Sequence, residues 1–513
     1  MNGAEALVRT FVNAGLEVCF TNPGTSELHF VAALSRVAGM RPILGLFEGV
    51  VSGAADGYAR MADKPAVTLL HLGPGLANGL ANFHNARKAR TPIVNLIGEH
   101  ATSHRPYDAP LTADVEAFAR PVSGWVRTAD DPKTLARDGA EAVAAAFGPP
   151  GRVASLIVPA DVAWTEAGDP ADPLPIPSAE RASPDAVTDT ALALRSGESA
   201  AILMSGRALR RAPLEVAGRI AASTGARLFC DTFNARWERG AGVPRVDPLP
   251  YFAEGALVAL AGVRHLILVG TQAPVAFFAY PGKPSSLTPE TCRIQTLASP
   301  AEDCEAALEA LADALGANQA AARAERDVAS APAGRLSPAS IAISVSALLP
   351  EGAIVSEEAI TASAALTPGT RGAAPHDWLG LTGGAIGQGI PVATGAAVAC
   401  PDRKVVCLQA DGSAMYTIQG LWTQSREGLD VTTVILANRS YAILQIELQR
   451  VGALETGPDV QQMLRIDDPV LDLFRISQGL GVPATRVTTA EEFHQQFARS
   501  MAEPGPSLIE AVY

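Results

Sequence analysis

Asp411 and Asn438 stand just past two apolar runs, "KVVCLQADG" and "VTTVILANRS", with one helix-length mixed segment between them. A helix of that length joins neighbouring parallel strands. Polar residues just beyond such strand ends face one crevice, where open α/β sheets bind ligands. A carboxylate and an amide oxygen are hard donors suited to Mg²⁺, an ion that often links one or two protein oxygens to phosphate. A hydrolysed nucleotide and a permanently held diphosphate cofactor both fit this pair. Glu48, in "LGLFEGVVSG", is the second chemically unusual residue, at the end of an apolar run and the start of a helix that reads as buried. A carboxylate there bears a desolvation penalty unless a partner satisfies it; a helix-start carboxylate stabilised by the dipole is the plainer alternative. His71 closes "AVTLLH" and opens "LGPG", again a polar residue at a strand end.

Such residues need strands to carry them, and the chain supplies three sets. Up to about residue 163, "EVCFTNPG", "RPILGLFE", "PAVTLLHLGPG", "TPIVNLIGEH" and "VASLIVPAD" alternate with helical stretches and read as buried parallel strands. A linker rich in proline and acids, "WTEAGDPADPLPIPSAERASP", follows. A second unit carries "AAILMSG", "ARLFCD", "HLILVGT" and "CRIQTLA", and ends before a second linker, "ERDVASAPAGRLSPAS". The third carries "GAIVSEE", the two runs that end on Asp411 and Asn438, and "PSLIEAVY". The expected fold is α/β, with three doubly wound parallel-sheet domains over residues 1–165, 186–320 and 336–513. Gly49, Gly53 and Gly57 make a smooth helix stripe that lets another helix or chain approach closely.

Composition narrows the function classes. The chain has 513 residues, too many for one core, and 48% are hydrophobic against 18% charged. A net charge of −13 argues against a nucleic-acid partner. Six scattered cysteines without CxxC spacing suit buried free thiols in a reducing cytoplasm. The first residues read as an amphipathic helix rather than a signal peptide, and no run nears the roughly 18 apolar residues of a membrane span. A cytoplasmic protein is expected.

Four motifs, "FEGVVSGAADGYAR", "HLGPGLANGLAN", "LTGGAIGQGIPVATGAA" and "ADGS…ANRSYAI", taken in this order, resemble the thiamin-diphosphate-dependent family of acetolactate synthase and benzoylformate decarboxylase. The resemblance covers essentially the whole chain. It implies a pyrimidine-binding domain, a central domain and a diphosphate-binding domain, with thiamin diphosphate and Mg²⁺ as cofactors. By that resemblance Asp411, the Asn438 side chain and the Ser440 carbonyl hold Mg²⁺. Gly412 and Ser413 meet the diphosphate at a helix start, and Tyr441 lies nearby. Glu48 bonds the pyrimidine ring nitrogen, so that the exocyclic amine can take a proton from the thiazolium carbon. Gly384 offers its carbonyl to that amine, and Ile386 is the apolar wedge that bends the cofactor. His71 and Thr25 match residues near the substrate carboxylate. The family builds each site across two chains, so a homodimer or homotetramer is implied, with the glycine stripe consistent with that interface.

Four departures qualify the resemblance. The usual Gly-Asp-Gly begins here with Ala410, a position that supplies neither side-chain metal oxygen. Benzoylformate decarboxylase has a second active-site histidine in its central domain, whereas "QAPVAFFAYPGKP" places Phe278, Ala279 and Tyr280 in that neighbourhood. The aromatic pocket wall after Tyr441 falls near Glu447, either a solvated helix face or a polar contact. FAD is not expected, because "AILMSGRALRRA" lacks GxGxxG and no flavin-binding basic pattern follows "LILVG". The leading expectation is a decarboxylase or carboligase acting on a 2-oxo acid, with an aldehyde or second oxo acid as acceptor. Acetolactate synthase is the runner-up. A non-catalytic cofactor-binding paralogue and an NAD-type dehydrogenase are the readings from other classes.

Overall fold

The computed structural model describes residues 1–327, 330–453 and 457–513; positions 328 and 329 of the second linker lie outside them. Among the described residues eighteen strands form three sheets. The first holds β1 (Val18–Asn22), β2 (Arg41–Leu44), β3 (Ala66–Leu70), β4 (Ile93–Glu99), β5 (Trp125–Thr128) and β6 (Val153–Pro159), all parallel in the order β2-β1-β3-β4-β6-β5. Strands β7 (Ala200–Met204) and β8 (Arg227–Cys230) enter the second sheet, whereas β9 (Trp237–Arg239) does not. That sheet is completed by β10 (Asp247–Pro248), β11 (His265–Val269) and β12 (Arg293–Ala298), parallel in the order β10-β8-β7-β11-β12.

The third sheet takes β13 (Ile354–Glu358), β14 (His376–Leu379), β15 (Val405–Ala410), β16 (Val431–Ala437), β17 (Ala484–Val487) and β18 (Ser507–Val512), in the order β17-β18-β16-β15-β13-β14-β9. Its edge strand β9 comes from the central segment and pairs antiparallel with β14, Trp378 opposite Trp237. The sheets are therefore parallel-dominated, and a short segment of the second unit caps the third. Arg239 of β9 is buried and stacks on both tryptophans, at 4.5 and 4.8 Å to the ring centroids.

The glycine stripe is used inside one chain. The Glu48–Ala62 helix crosses the Gly389–Ala399 helix so closely that a Cβ on Gly57 would lie 2.1 Å from the Val392 carbonyl oxygen. A Cβ on Gly395 would lie 1.8 Å from the Ala54 oxygen, and one on Gly53 2.5 Å from Pro391. Of the two expected neighbours, another helix or another chain, the stripe meets a helix of its own chain. Val51, Ala54 and Tyr58 join Ile390, Val392 and Ala396 in one hydrophobic core that spans the first and third units. Each fully buried valine or isoleucine there contributes roughly 1.5–3 kcal/mol.

A buried ion pair locks the same junction. The Arg60 guanidinium donates to Asp56 at 2.8 and 2.6 Å, to the Gly380 carbonyl at 2.9 Å and to Thr382 Oγ1 at 3.1 Å. It also reaches the Ala235 carbonyl at 3.2 Å. One cation thus ties the first unit to the central segment and to the start of the 380–389 loop.

Candidate active site

Three strand ends of the first sheet present the N-terminal group of candidates. Past β1, Thr25 opens a short 3-10 turn, Thr25–Glu27, and is exposed. Glu48, beyond β2, is the first residue of its helix and is half-buried. Its Oε2 accepts from Asn78 Nδ2 at 3.0 Å. His71 follows β3 and serves as N-cap of the Leu72–Ala89 helix. Gly75, one turn into that helix, leaves the space between them clear: a Cβ there would lie 3.3 Å from Glu48 Oε1 and 3.4 Å from His71 Cβ. The structure therefore brings Glu48 and His71 together.

His71 has a partner that sequence reasoning missed. Its Nδ1 lies 2.8 Å from Glu27 Oε2, and Glu27 is fully buried. The signal available in the sequence was weak: an acid directly after the turn "NPGTS", and a glycine, Gly98, late in the apolar strand β4. Gly98 is where the Glu27 side chain fits, since a Cβ there would lie 1.6 Å from Glu27 Oε1.

The second group lies in the third sheet. Asp411 follows β15, is 3% exposed, and accepts from Gly412 N at 2.9 Å and Arg439 N at 2.6 Å. Burial pushes its carboxyl above the usual range. Asn438 follows the adjacent strand β16, and its Oδ1 accepts from Ser440 N at 3.0 Å. Arg439 between them adopts φ +57°, a left-handed turn that sharpens the strand end. The Tyr441 ring lies against Gly412, where a Cβ would fall 2.7 Å from it. Ser413 Oγ donates to the Ala410 carbonyl at 3.2 Å and accepts from Gln409 Nε2 at 2.6 Å. Gly412 N is already engaged by Asp411, and its helix spans only Asp411–Ala414.

The glycine loop is held on every side. Gly384 (φ +73°) and Gly387 (φ +95°) turn it, with Ile386 half-buried between them. From the Leu72–Ala89 helix, His84 Nε2 lies 3.0 Å from the Gly383 carbonyl and Asn85 Nδ2 donates to the Ala385 carbonyl at 2.7 Å. From the end of β13, the buried Glu358 carboxylate accepts from Gly387 N at 2.6 Å and from Gly389 N. Desolvation raises Glu358 to about 7. Glu358 was also missed, although "GAIVSEE" ends an apolar strand on two acids. Replacing it with alanine leaves two buried N–H groups without an acceptor, each costing about 1–3 kcal/mol. Glu358→Ala is expected to lower both the melting temperature and the cofactor affinity. Calorimetry showing full affinity beside a lowered melt would confine Glu358 to stability.

Glu447 makes a polar contact rather than a solvated face. Tyr280 donates its hydroxyl to Glu447 Oε2 at 2.6 Å, and the Arg450 guanidinium stacks over Tyr280 at 5.0 Å. Phe277 covers the loop beside Gly384, its ring 3.3 Å from where a Cβ would stand. Among the other histidines, the His100 and His104 rings meet tilted, with centroids 5.2 Å apart, and His265 meets Glu198 at 2.9 Å.

Among the described residues no cluster of three or more His, Cys, Asp or Glu could hold a metal. An ion here would rely on one carboxylate with amide and main-chain oxygens. That donor set fits Mg²⁺, which keeps several waters and leans on phosphate oxygens. Within one chain no described hydrogen bond or ion pair joins Glu48 to Asp411.

Comparison with known proteins agrees with this layout. Residues 1–118 match the family description "Thiamine pyrophosphate enzyme, N-terminal TPP binding domain", and residues 364–511 match its C-terminal TPP binding domain. A Mycobacterium tuberculosis protein that carries the name of an acetolactate synthase large subunit, IlvX, is 54% identical over 100% of this chain and 99% of its own length. Benzoylformate decarboxylase of Pseudomonas aeruginosa is 28% identical over 97% of this chain and 96% of its own. The solved thiamine diphosphate-dependent 4-hydroxybenzoylformate decarboxylase of Rhodococcus jostii superposes with TM-score 0.84 at 25% identity, covering 99% of this chain and 98% of that one. The chain belongs to the thiamine pyrophosphate enzyme family and is related to its benzoylformate decarboxylases and acetolactate synthases.

Proposed function

We propose that the chain is a thiamin-diphosphate- and Mg²⁺-dependent enzyme that removes CO₂ from a 2-oxo acid and releases an aldehyde or joins the fragment to an acceptor. The observation that carries this reading is the placement of Glu48 beside His71 across Gly75. When bound, thiamin diphosphate supplies an acidic ring carbon that adds to a keto carbon and accepts the electron pair left by CO₂. Asp411, Asn438 and the Ser440 carbonyl hold the metal, while Gly412, Ser413 and Tyr441 flank the diphosphate. Glu48 shares a proton with the pyrimidine ring, the Gly384 carbonyl orients the pyrimidine amine, and Ile386 supplies the apolar wedge. His71 and Thr25 receive the substrate carboxylate, and His71 moves a proton at the reacting carbon.

Each site is assembled from two copies of the chain, one contributing Glu48 and His71 and the other the Gly384–Ile386 loop with Asp411. Exposed Phe277, Tyr416 and Leu444 support this, being large apolar side chains left uncovered in one chain. A cytoplasmic location belongs to the same reading, supported by six free cysteines. No helix is long and apolar enough to cross a membrane among the described residues. Acetolactate synthesis is the second reading, favoured by the name of the 54% identical relative. Flavin is not expected in the first reading, whereas a bound flavin and the product would mark the second.

The fate of the decarboxylated fragment tests the reading. With Phe278, Ala279 and Tyr280 in the neighbourhood where benzoylformate decarboxylase has a second histidine, His71 is the imidazole this reading assigns to the reacting carbon. A positioned general acid contributes roughly 10²–10⁴-fold, so release of free aldehyde is expected to be slow enough for an acceptor to intervene. Adding an aldehyde or second oxo acid should shift the product toward a hydroxyketone. His71→Ala should lower decarboxylation more than ligation started from aldehydes. Fast aldehyde release that no acceptor diverts, followed by chiral chromatography, would instead mark a plain decarboxylase.

A further inference from the structure

Glu27 is a buried carboxylate to which the proposed chemistry gives no role, yet its surroundings are built for one. Its Oε1 accepts from Ser26 Oγ at 2.6 Å, and its Oε2 accepts from Gly24 N at 2.8 Å. The remaining contact is His71 Nδ1, 2.8 Å from Oε2. Ser26 Oγ lies 3.2 Å from the same nitrogen, and its proton is already directed to Glu27. Both oxygens facing Nδ1 are thus acceptors, so Nδ1 must carry the hydrogen. Nε2 then holds the lone pair in the neutral ring and the exchangeable proton in the charged one. Among the described residues Nε2 has no protein partner, and the side chain is 23% exposed while Glu27 is 0% exposed.

Glycines at two further positions keep this pair in place. A Cβ on Gly24 would lie 2.3 Å from the His71 ring, and one on Gly98 1.6 Å from Glu27 Oε1. Neither collision could be relieved without moving the carboxylate or the imidazole. We propose that Glu27 is the positioning residue of a carboxylate–imidazole pair that fixes His71 in the Nδ1–H form, with Nε2 as the nitrogen that delivers and takes the proton at the reacting carbon. This rests on the proposed role of His71. It extends that role by naming the nitrogen that reacts and the group that selects it. The carboxylate also stabilises the imidazolium formed when Nε2 takes a proton, as a buried carboxylate does for the base of other acid–base pairs. One histidine backed by a charge can then serve where relatives use two.

The test is tautomer state and turnover in the intact protein with thiamin diphosphate and Mg²⁺. Selective ¹⁵N-histidine NMR should show wild-type His71 as Nδ1–H when neutral. Glu27→Ala should release the ring to the Nε2–H form and lower kcat roughly 10²-fold, within the span of one positioned acid–base group, with cofactor affinity unchanged. Glu27→Gln can offer its amide oxygen to His71 and Gly24 and its NH₂ to Ser26. It should therefore keep the Nδ1–H form and recover part of kcat. A residue that only held the Gly24 turn would alter melting temperature and leave the tautomer alone. Wild-type His71 found as Nε2–H, or a Glu27→Ala protein with unchanged tautomer or kcat, overturns the proposal. Failure of the underlying reading looks different: wild-type protein that binds no thiamin diphosphate and releases no CO₂.

Discussion

Asp411→Ala is expected to abolish Mg²⁺-dependent binding of thiamin diphosphate. Asp411 supplies the single carboxylate of the proposed metal set, and burial makes its charge dependent on a cation or on N–H donors. Mg²⁺ demands near-ideal octahedral geometry, so a missing charged ligand is poorly replaced by water. Loss of an outer-shell partner alone typically costs about 10–100-fold in metal affinity, and a direct ligand should exceed that. Alanine also strips the acceptor from Gly412 N and Arg439 N. Asp411→Asn, which preserves size and one acceptor, separates the metal effect from this local loosening. Calorimetry should show both variants losing the Mg²⁺-dependent part of the affinity. Unchanged affinity in Asp411→Asn would remove Asp411 from the metal set.

Glu48→Gln should leave the fold and most cofactor affinity intact yet suppress exchange of the thiazolium C2 proton. Glutamine can still accept from Asn78 Nδ2 through its amide oxygen, so the local hydrogen bond survives. What it cannot do is share a proton with the pyrimidine nitrogen. General acid–base assistance contributes roughly 10²–10⁴-fold, and exchange followed by NMR in D₂O should slow by that order. Exchange at the wild-type rate would make Glu48 a structural helix-start carboxylate.

The sequence made the strand-end logic legible because apolar runs closed by Gly, Pro or a polar residue mark buried parallel strands. Asp411, Asn438, Glu48 and His71 all sit where such runs end. Strands β5, β14 and β17 were missed because "WVRT", "HDWL" and "ATRV" are four-residue segments mixing polar and apolar types. β9 was invisible for a different reason: its partner β14 lies far along the chain in another unit. The glycine stripe was read correctly as a close-approach surface, but sequence alone does not say whether the approaching helix is in the same chain. Glu27 and Glu358 illustrate the remaining gap. Their meaning depends on three elements meeting, so no local pattern separates them from surface acids.

The most direct measurement is CO₂ release by the purified protein, stripped of cofactor, from a panel of 2-oxo acids. The account predicts release only when thiamin diphosphate and Mg²⁺ are both restored, lost in Asp411→Ala and strongly slowed in Glu48→Gln. Tight cofactor binding without CO₂ release from any 2-oxo acid, alone or with an acceptor, would contradict it and leave a cofactor-binding paralogue.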